Sequence, residues 1–307
     1  MLHTDPGYGR RLPFDFGGDV LRRLAPMLAA SVRMAIEGTS AHAGTQPGWL
    51  RRAADVRLVG ISEGVDRATV LHVEAPTLGA AAEEIYRQER LWDTRPSPEE
   101  TAVNIFARVT GDVRQGDTDS RLYDLSLLKR FSQTKSWFEH QLVAMDVPAE
   151  AGVMQLDREV AVRAAELSAN TPPPRQVRVA GKLDMIRHST RSFELLLDDG
   201  TLIRGVLEDS EYLATLQRLL GQRIVATGKA IYRPSGSPLR IDAQEIADGA
   251  GEPSLFSKVP PPFTHRHFWA RIQQGGQQKN WMDSFFGKWP GDETDEELQA
   301  MLRELRG

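Results

Sequence analysis

The chain has no cysteine, which excludes disulfides, thiol nucleophiles and thiolate metal sites. That composition suits a reducing compartment, and a cytoplasmic protein is the expectation. Long apolar runs are also missing: none approaches the roughly 18 residues that a membrane span requires. The N-terminal stretch sets Asp5, Asp15 and Asp19 among Arg10 and Arg11, with no apolar segment after a basic start. Neither a signal peptide nor a membrane partner is expected. Catalytic signatures are lacking too. There is no Gly-x-Ser-x-Gly elbow, Walker loop or Rossmann fingerprint. Gly228-Lys229 has no upstream glycines and falls in a predicted strand. The seven histidines contain no His-x-x-x-His pair, so no metal or other cofactor is expected. His265-Arg266-His267 reads as a solvated stretch. The acid pairs Asp198-Asp199 and Glu99-Glu100 are explained by a turn and a helix start. With no nucleophile, base and orienter assembled, a non-enzymatic protein is expected. A net charge of −4 over 307 residues argues against holding nucleic acid by bulk electrostatics, and leaves room for a local basic patch.

What is present begins with a run of strand signals from Arg175 to Ile246. Gln176 to Met185 alternates, and Ser192 to Leu197 follows, closed by Asp198-Asp199-Gly200, a turn in which glycine supplies the positive φ. Thr201 to Glu208 reads as a third strand. A helix starting at Asp209-Ser210 places Leu213, Leu216, Leu219 and Leu220 on one face, with Gly221 at its C-cap. Arg223 to Tyr232 and Leu239 to Ile246, joined at Pro234-Ser235-Gly236, complete five strands. Three strands, a helix and two strands is the order of an OB-type barrel.

The preceding residues predict a mixed α/β domain over 1–170, so the fold class is α+β. Residues 1–17 read as irregular. A helix runs from Asp19 to Gly38, kinked or delayed by Pro26. Val56–Ile61 and Ala68–Glu74 predict a hairpin, and Leu78–Gln88 a helix. Ser97-Pro98-Glu99-Glu100 combines a capping box with proline at N1, predicting a helix to about Gly116. Asp119–Trp137 reads as a further helix that buries Leu122, Leu125 and Leu128 and leaves Asp124, Lys129 and Arg130 solvated. Leu156–Ala169 fits helix or, at its start, strand. Thr171-Pro172-Pro173-Pro174 is a semi-rigid linker (171–174) to the barrel (175–247), and 248–307 forms a tail.

That tail concentrates the aromatics, including three of the six tryptophans: Phe256, Phe263, Phe268, Trp269, Trp281, Phe285, Phe286 and Trp289. Rings among polar spacers either cover the protein's own apolar surface or anchor a segment in a partner's groove. After Pro290-Gly291, Thr294 and Glu297 form a capping box, and Leu298, Met301, Leu302 and Leu305 a single apolar stripe. So short a terminal helix is marginal alone and stable when docked.

The run Trp289-Pro290-Gly291-Asp292-Glu293-Thr294-Asp295-Glu296-Glu297-Leu298, within Gly287–Leu305, resembles the C-terminal tail of bacterial antitoxin-like proteins that accompany PIN-domain ribonuclease toxins. The remainder resembles uncharacterised bacterial proteins with an OB-like barrel. The resemblance implies a toxin–antitoxin system in which this chain binds and neutralises a protein toxin. Trp281, Phe285, Phe286 and Trp289 would anchor the arm, and Leu298, Met301, Leu302 and Leu305 would dock the helix. Arg303 or Arg306 would then meet the carboxylates of the toxin's metal site. The alternative expectation is single-stranded nucleic-acid binding by the barrel through Arg178, Lys182, Arg191 and Arg204.

Overall fold

A helix of 24 residues, α1 (Phe14–Glu37), is the longest element among the described residues of the computed structural model. The structure describes residues 1–4, 11–41, 44–87, 95–149, 152–208, 211–249 and 256–262. Helix α1 begins five residues before the expected Asp19, with Pro13 as its flank and Asp15 in the first turn, where the helix dipole favours an acid. Pro26 lies inside it and does not end it. The hydrogen bond that proline forfeits is offset by burial, since every residue from Met27 to Met34 is buried. A helix stretch buried on all sides runs between two packed layers. Gly38 stops it in the left-handed conformation (φ 78°), its N–H donating to Met34 O at 2.9 Å.

One layer is a five-stranded antiparallel sheet in the order β2-β3-β1-β4-β5. Its strands are β1 (Leu2–Thr4), β2 (Arg57–Glu63), β3 (Thr69–Glu74), β4 (Leu142–Ala149) and β5 (Gly152–Asp157). The hairpin β2–β3 was legible; β1 and β4 were not. Leu2–Thr4 falls in the stretch expected to be irregular, and Pro148 disguises β4. Asp146 N donates to Met1 O at 2.7 Å. Pro148, two residues on, would aim its N–H the same way, beyond the end of β1, so no ladder bond is lost.

The helices that cover this sheet corrected several expectations. Leu78–Gln88 is two short turns, α3 (Leu78–Ala81) and α4 (Glu83–Tyr86), broken at Ala82 (φ −125°, ψ 42°). Ser97–Glu100 forms only a turn, with Glu100 accepting from Ser97 N at 2.7 Å. The helix α5 (Ala102–Gln115) starts four residues later because Thr101 and Asn104 cap each other reciprocally. It ends at a left-handed Gly116 as expected. The segment from Asp119 is irregular until α6 (Leu125–Gln133), whose N-cap is Asp124. Far from being solvated, Asp124 is buried. A short α7 (Trp137–His140) precedes β4, and Asp157 caps α8 (Arg158–Asn170). A small helix, α2 (Gly48–Ala53), follows α1. Phe106 of α5 stacks on Phe131 of α6 at 5.3 Å between ring centres, a favourable offset geometry.

The second layer is a closed barrel in the order β10-β8-β7-β6-β9. Its strands are β6 (Arg175–Arg187), β7 (Ser192–Leu196), β8 (Leu202–Leu207), β9 (Arg223–Tyr232) and β10 (Pro238–Asp248). All pairs are antiparallel except β8 with β10. That order, with α9 (Tyr212–Arg218) between the third and fourth strands, fits the OB type. Leu213, Leu216 and Leu219 are buried as expected, while Leu220 is 53% exposed. The helix ends at Arg218 with Leu219, rather than the expected Gly221, as its C-cap, so the spacing rule no longer applies at Leu220. The barrel has its own core, including Val179, Leu183, Phe193, Ile224 and Ile241. Leu239 of β10 joins instead the core under the helices, and Met1–Pro262 forms one compact unit. Among the described residues, no helix is long and apolar enough to cross a membrane.

Candidate anion-binding cleft

The seam between the barrel and α1 is charged and buried, which is costly unless each group is paired. Helix α1 presents the negative end of its dipole and its last unsatisfied carbonyls to the barrel. Two arginines from the barrel meet them. Arg204 of β8 donates from Nη2 to Ile36 O at 2.7 Å, and Arg240 of β10 donates from Nη1 to Gly38 O at 3.0 Å. Gly38 is required twice over. Its φ is left-handed, and a Cβ there would lie 2.7 Å from Arg204 Nη1. Burial first, and the neighbouring Arg187 second, push the Arg204 guanidinium down to about 10. Arg240 also reaches Asp124 at 3.2 Å and Asp242 at 2.7 Å. The Asp124 carboxylate further accepts from Ser40 N at 3.0 Å, from Ser40 Oγ, and from Leu127 N at 3.1 Å. One aspartate thus caps α6, fixes the turn after α1 and anchors the barrel.

Beside this seam opens a cleft of about 620 Å³. Its walls are the second and third barrel strands (β7 and β8), the loop between the fourth and fifth (233–237), and the end of α1. Arg121, Arg204, Arg233 and Lys258 line it against two carboxylates, Glu194 and Asp199. Both acids are engaged: Glu194 lies 3.9 Å from Arg187, and Asp199 accepts from Thr201 N at 2.9 Å. The Thr201 backbone N–H holds the Asp199 carboxyl below the usual range. Arg233 donates from Nη1 to Pro238 O at 2.7 Å, while its buried Nε has no hydrogen-bond partner among the described residues. Burial, and then Arg121, lower its pKa. Its loop is pinned by Ser235 and Ser237, which donate to Asp119 at 2.6 and 2.7 Å. Arg121 and Lys258 are exposed and form no ion pair among the described residues. The cleft thus carries more cations than carboxylates, a balance that favours an anionic ligand.

Of the residues expected to touch nucleic acid, only Arg204 lines this cleft, and it is largely committed to α1. Arg178 and Lys182 are exposed on β6, and the Arg178 guanidinium lies over the Phe256 ring at 5.5 Å. Arg191 occupies a left-handed position (φ 49°) in the β6–β7 turn. Two of the barrel's aromatic rings are withdrawn from its surface. Phe193 is buried with its ring against Gly205, and Tyr232 is buried with its hydroxyl donating to Pro260 O at 2.7 Å.

No family model, curated protein or solved structure matches the chain.

Reasoning from the sequence missed Arg121 and Lys258, the first inside a stretch read as helix and the second in a segment read as tail. Arg233 carried a signal, because the turn Pro234-Ser235-Gly236 places it in the loop that flanks the binding face of such barrels. The predicted partner residues Trp281, Phe285, Phe286, Trp289, Leu298, Met301, Leu302, Arg303, Leu305 and Arg306 lie outside the described residues. Among the described residues, no cluster of three or more His, Asp or Glu side chains is placed to hold a metal ion.

Proposed function

We propose that the protein binds single-stranded nucleic acid, with phosphate held in the cleft by Arg121, Arg233 and Lys258. The observation that supports this most is location: the cation-rich cleft lies on the face of β7 and β8 beside the 233–237 loop. Barrels of this type bind oligonucleotides at the corresponding strands and loop. Helix α1 covers part of that face, so the site takes a short stretch of chain. Leu122, Leu197, Leu202 and Val259 offer apolar surface to sugar and base in place of aromatic rings. Anisotropy of a labelled oligo-dT or oligo-U between about 50 and 200 mM salt tests the reading. The variant Arg121→Glu/Lys258→Glu is expected to bind at least about tenfold more weakly, with a salt slope shallower by about 1.4, or about 0.7 for each lost contact. Absence of wild-type binding at the lower salt, or an unchanged slope in the variant, overturns it.

A second reading, toxin neutralisation by the C-terminal arm, is supported by the capped, leucine-striped run after Gly291. It makes a separate prediction. Deleting residues 281–307 should abolish protection against a co-expressed toxin and leave oligonucleotide binding intact. Full protection by the truncated chain excludes that role for the arm.

A further inference from the structure

Strand β2 ends its sheet with one edge unpaired among the described residues, and six of its seven residues are exposed. Exposed edges usually carry lysine or proline. Here Leu58 is 44% exposed, and Val59 and Ile61 are each 63% exposed. Val73 on the neighbouring β3 and Phe14 at the start of α1 are exposed as well. Leu58 and Ile61 open into an apolar groove of about 760 Å³ toward Leu12, Phe14 and Leu21. Contiguous apolar surface of this kind marks an interaction site.

The sequence of the strand identifies the partner. Arg57-Leu58-Val59-Gly60-Ile61-Ser62-Glu63 reverses its charge about Gly60. Laid antiparallel on itself, it sets Arg57 against Glu63, Leu58 against Ser62, and Val59 against Ile61, with Gly60 on the two-fold axis. An isologous interface requires this self-complementarity. We propose that the β2 edge is a self-association surface on which two copies of this chain pack antiparallel about Gly60, joined by two Arg57–Glu63 pairs. The register of β2 on β3 shifts between Leu58 and Gly60, a bulge that interrupts the outer ladder. Side chains rather than an unbroken ten-stranded sheet therefore carry the contact. Within one copy, Arg57 pairs with the exposed Asp55 and lies across the ladder from Glu74, exposed contacts of little value. Glu63 forms no ion pair among the described residues.

Sedimentation velocity of the full chain over a concentration series tests this. Wild type is expected to pass from monomer to dimer. Arg57→Glu and Glu63→Arg, each of which sets like charges opposite one another twice, should weaken the dimer at least about tenfold. An equimolar mixture of the two variants regains both opposite-charge pairs and should dimerise like wild type, as should Arg57→Glu/Glu63→Arg alone. Val59→Lys should be monomeric throughout. At a concentration where wild type is monomeric, thermal melts of Glu63→Arg and Val59→Lys should match wild type, while Arg57→Glu, which faces Asp55 and Glu74 within its own copy, should melt slightly lower. A wild-type monomer at every concentration overturns the proposal. So does a dimer insensitive to both single variants, or a mixture that stays monomeric.

Discussion

Asp124→Ala is expected to cost about 3–5 kcal/mol, the range for removing one member of a buried ion pair. The Asp124 side chain is 4% exposed and its partner Arg240 7%. Alanine would leave Ser40 N–H, Ser40 O–H and Leu127 N–H without their acceptor, and an unpaired buried donor loses its full desolvation energy. It would also loosen Arg240 from the turn after α1. Asn at this position remains a good N-cap and should cost less than half as much. Urea unfolding followed by far-UV circular dichroism reads both. Arg240→Ala should be similarly severe, and the double variant should cost clearly less than the sum, because the two remove one shared interaction. A loss below about 1 kcal/mol for Asp124→Ala would remove this network from any account of what joins barrel to helices.

Gly228→Ala should be nearly as damaging, for a steric reason. A Cβ at Gly228 would come within 2.1 Å of Asp242 O and 2.8 Å of Ala243 Cα. Both are backbone atoms of β10, and β10 is held on its other side by β8. In a closed barrel no edge is free to swing away, so relief requires breaking the β9–β10 ladder. The cost should reach or exceed the upper end of overpacking, about 3 kcal/mol. Gly18→Ala is the control. It lies in α1 with nothing within 4 Å of its Cβ, and alanine there should stabilise by up to about 1 kcal/mol. Midpoints of thermal unfolding separate the two. A Gly228→Ala protein that melts with wild type would mean that the barrel opens between β9 and β10.

These two glycines show what local reading can reach. Gly228 looks like any glycine within a strand, and its proximity to Asp242 exists only once β9 and β10 pair. The same division runs through the fold. The barrel was legible because each of its strands alternates on its own and each turn carries its own residues, Asp198-Asp199-Gly200 and Pro234-Ser235-Gly236. The ends of α1 and α5 at Gly38 and Gly116 were legible for the same reason. Three-residue β1 has no local periodicity at all, and it is a strand only because Leu2 and His3 meet Met145 and Ala144. Ser97-Pro98-Glu99-Glu100 satisfies the rules for a helix start, yet Thr101 and Asn104 satisfy them better four residues on.

The candidate cleft lies further beyond local reach. Arg121, Arg233 and Lys258 belong to an interhelical segment, a hairpin loop and the strand exit, and nothing in their spacing associates them. Asp124 read as solvated because an acid between apolar residues on a helix face ordinarily is. Its burial was decided by Ser40 and Arg240, 84 and 116 residues away along the chain. By itself the sequence determined the five barrel strands and their OB order, the β2–β3 hairpin, and the ends of α1 and α5, since propensity, periodicity and turn chemistry act over a few residues. Tertiary structure alone decided which charges are buried, which cations share a cleft and which strand edge stays open, because burial and proximity belong to chain segments that meet only after the fold has formed.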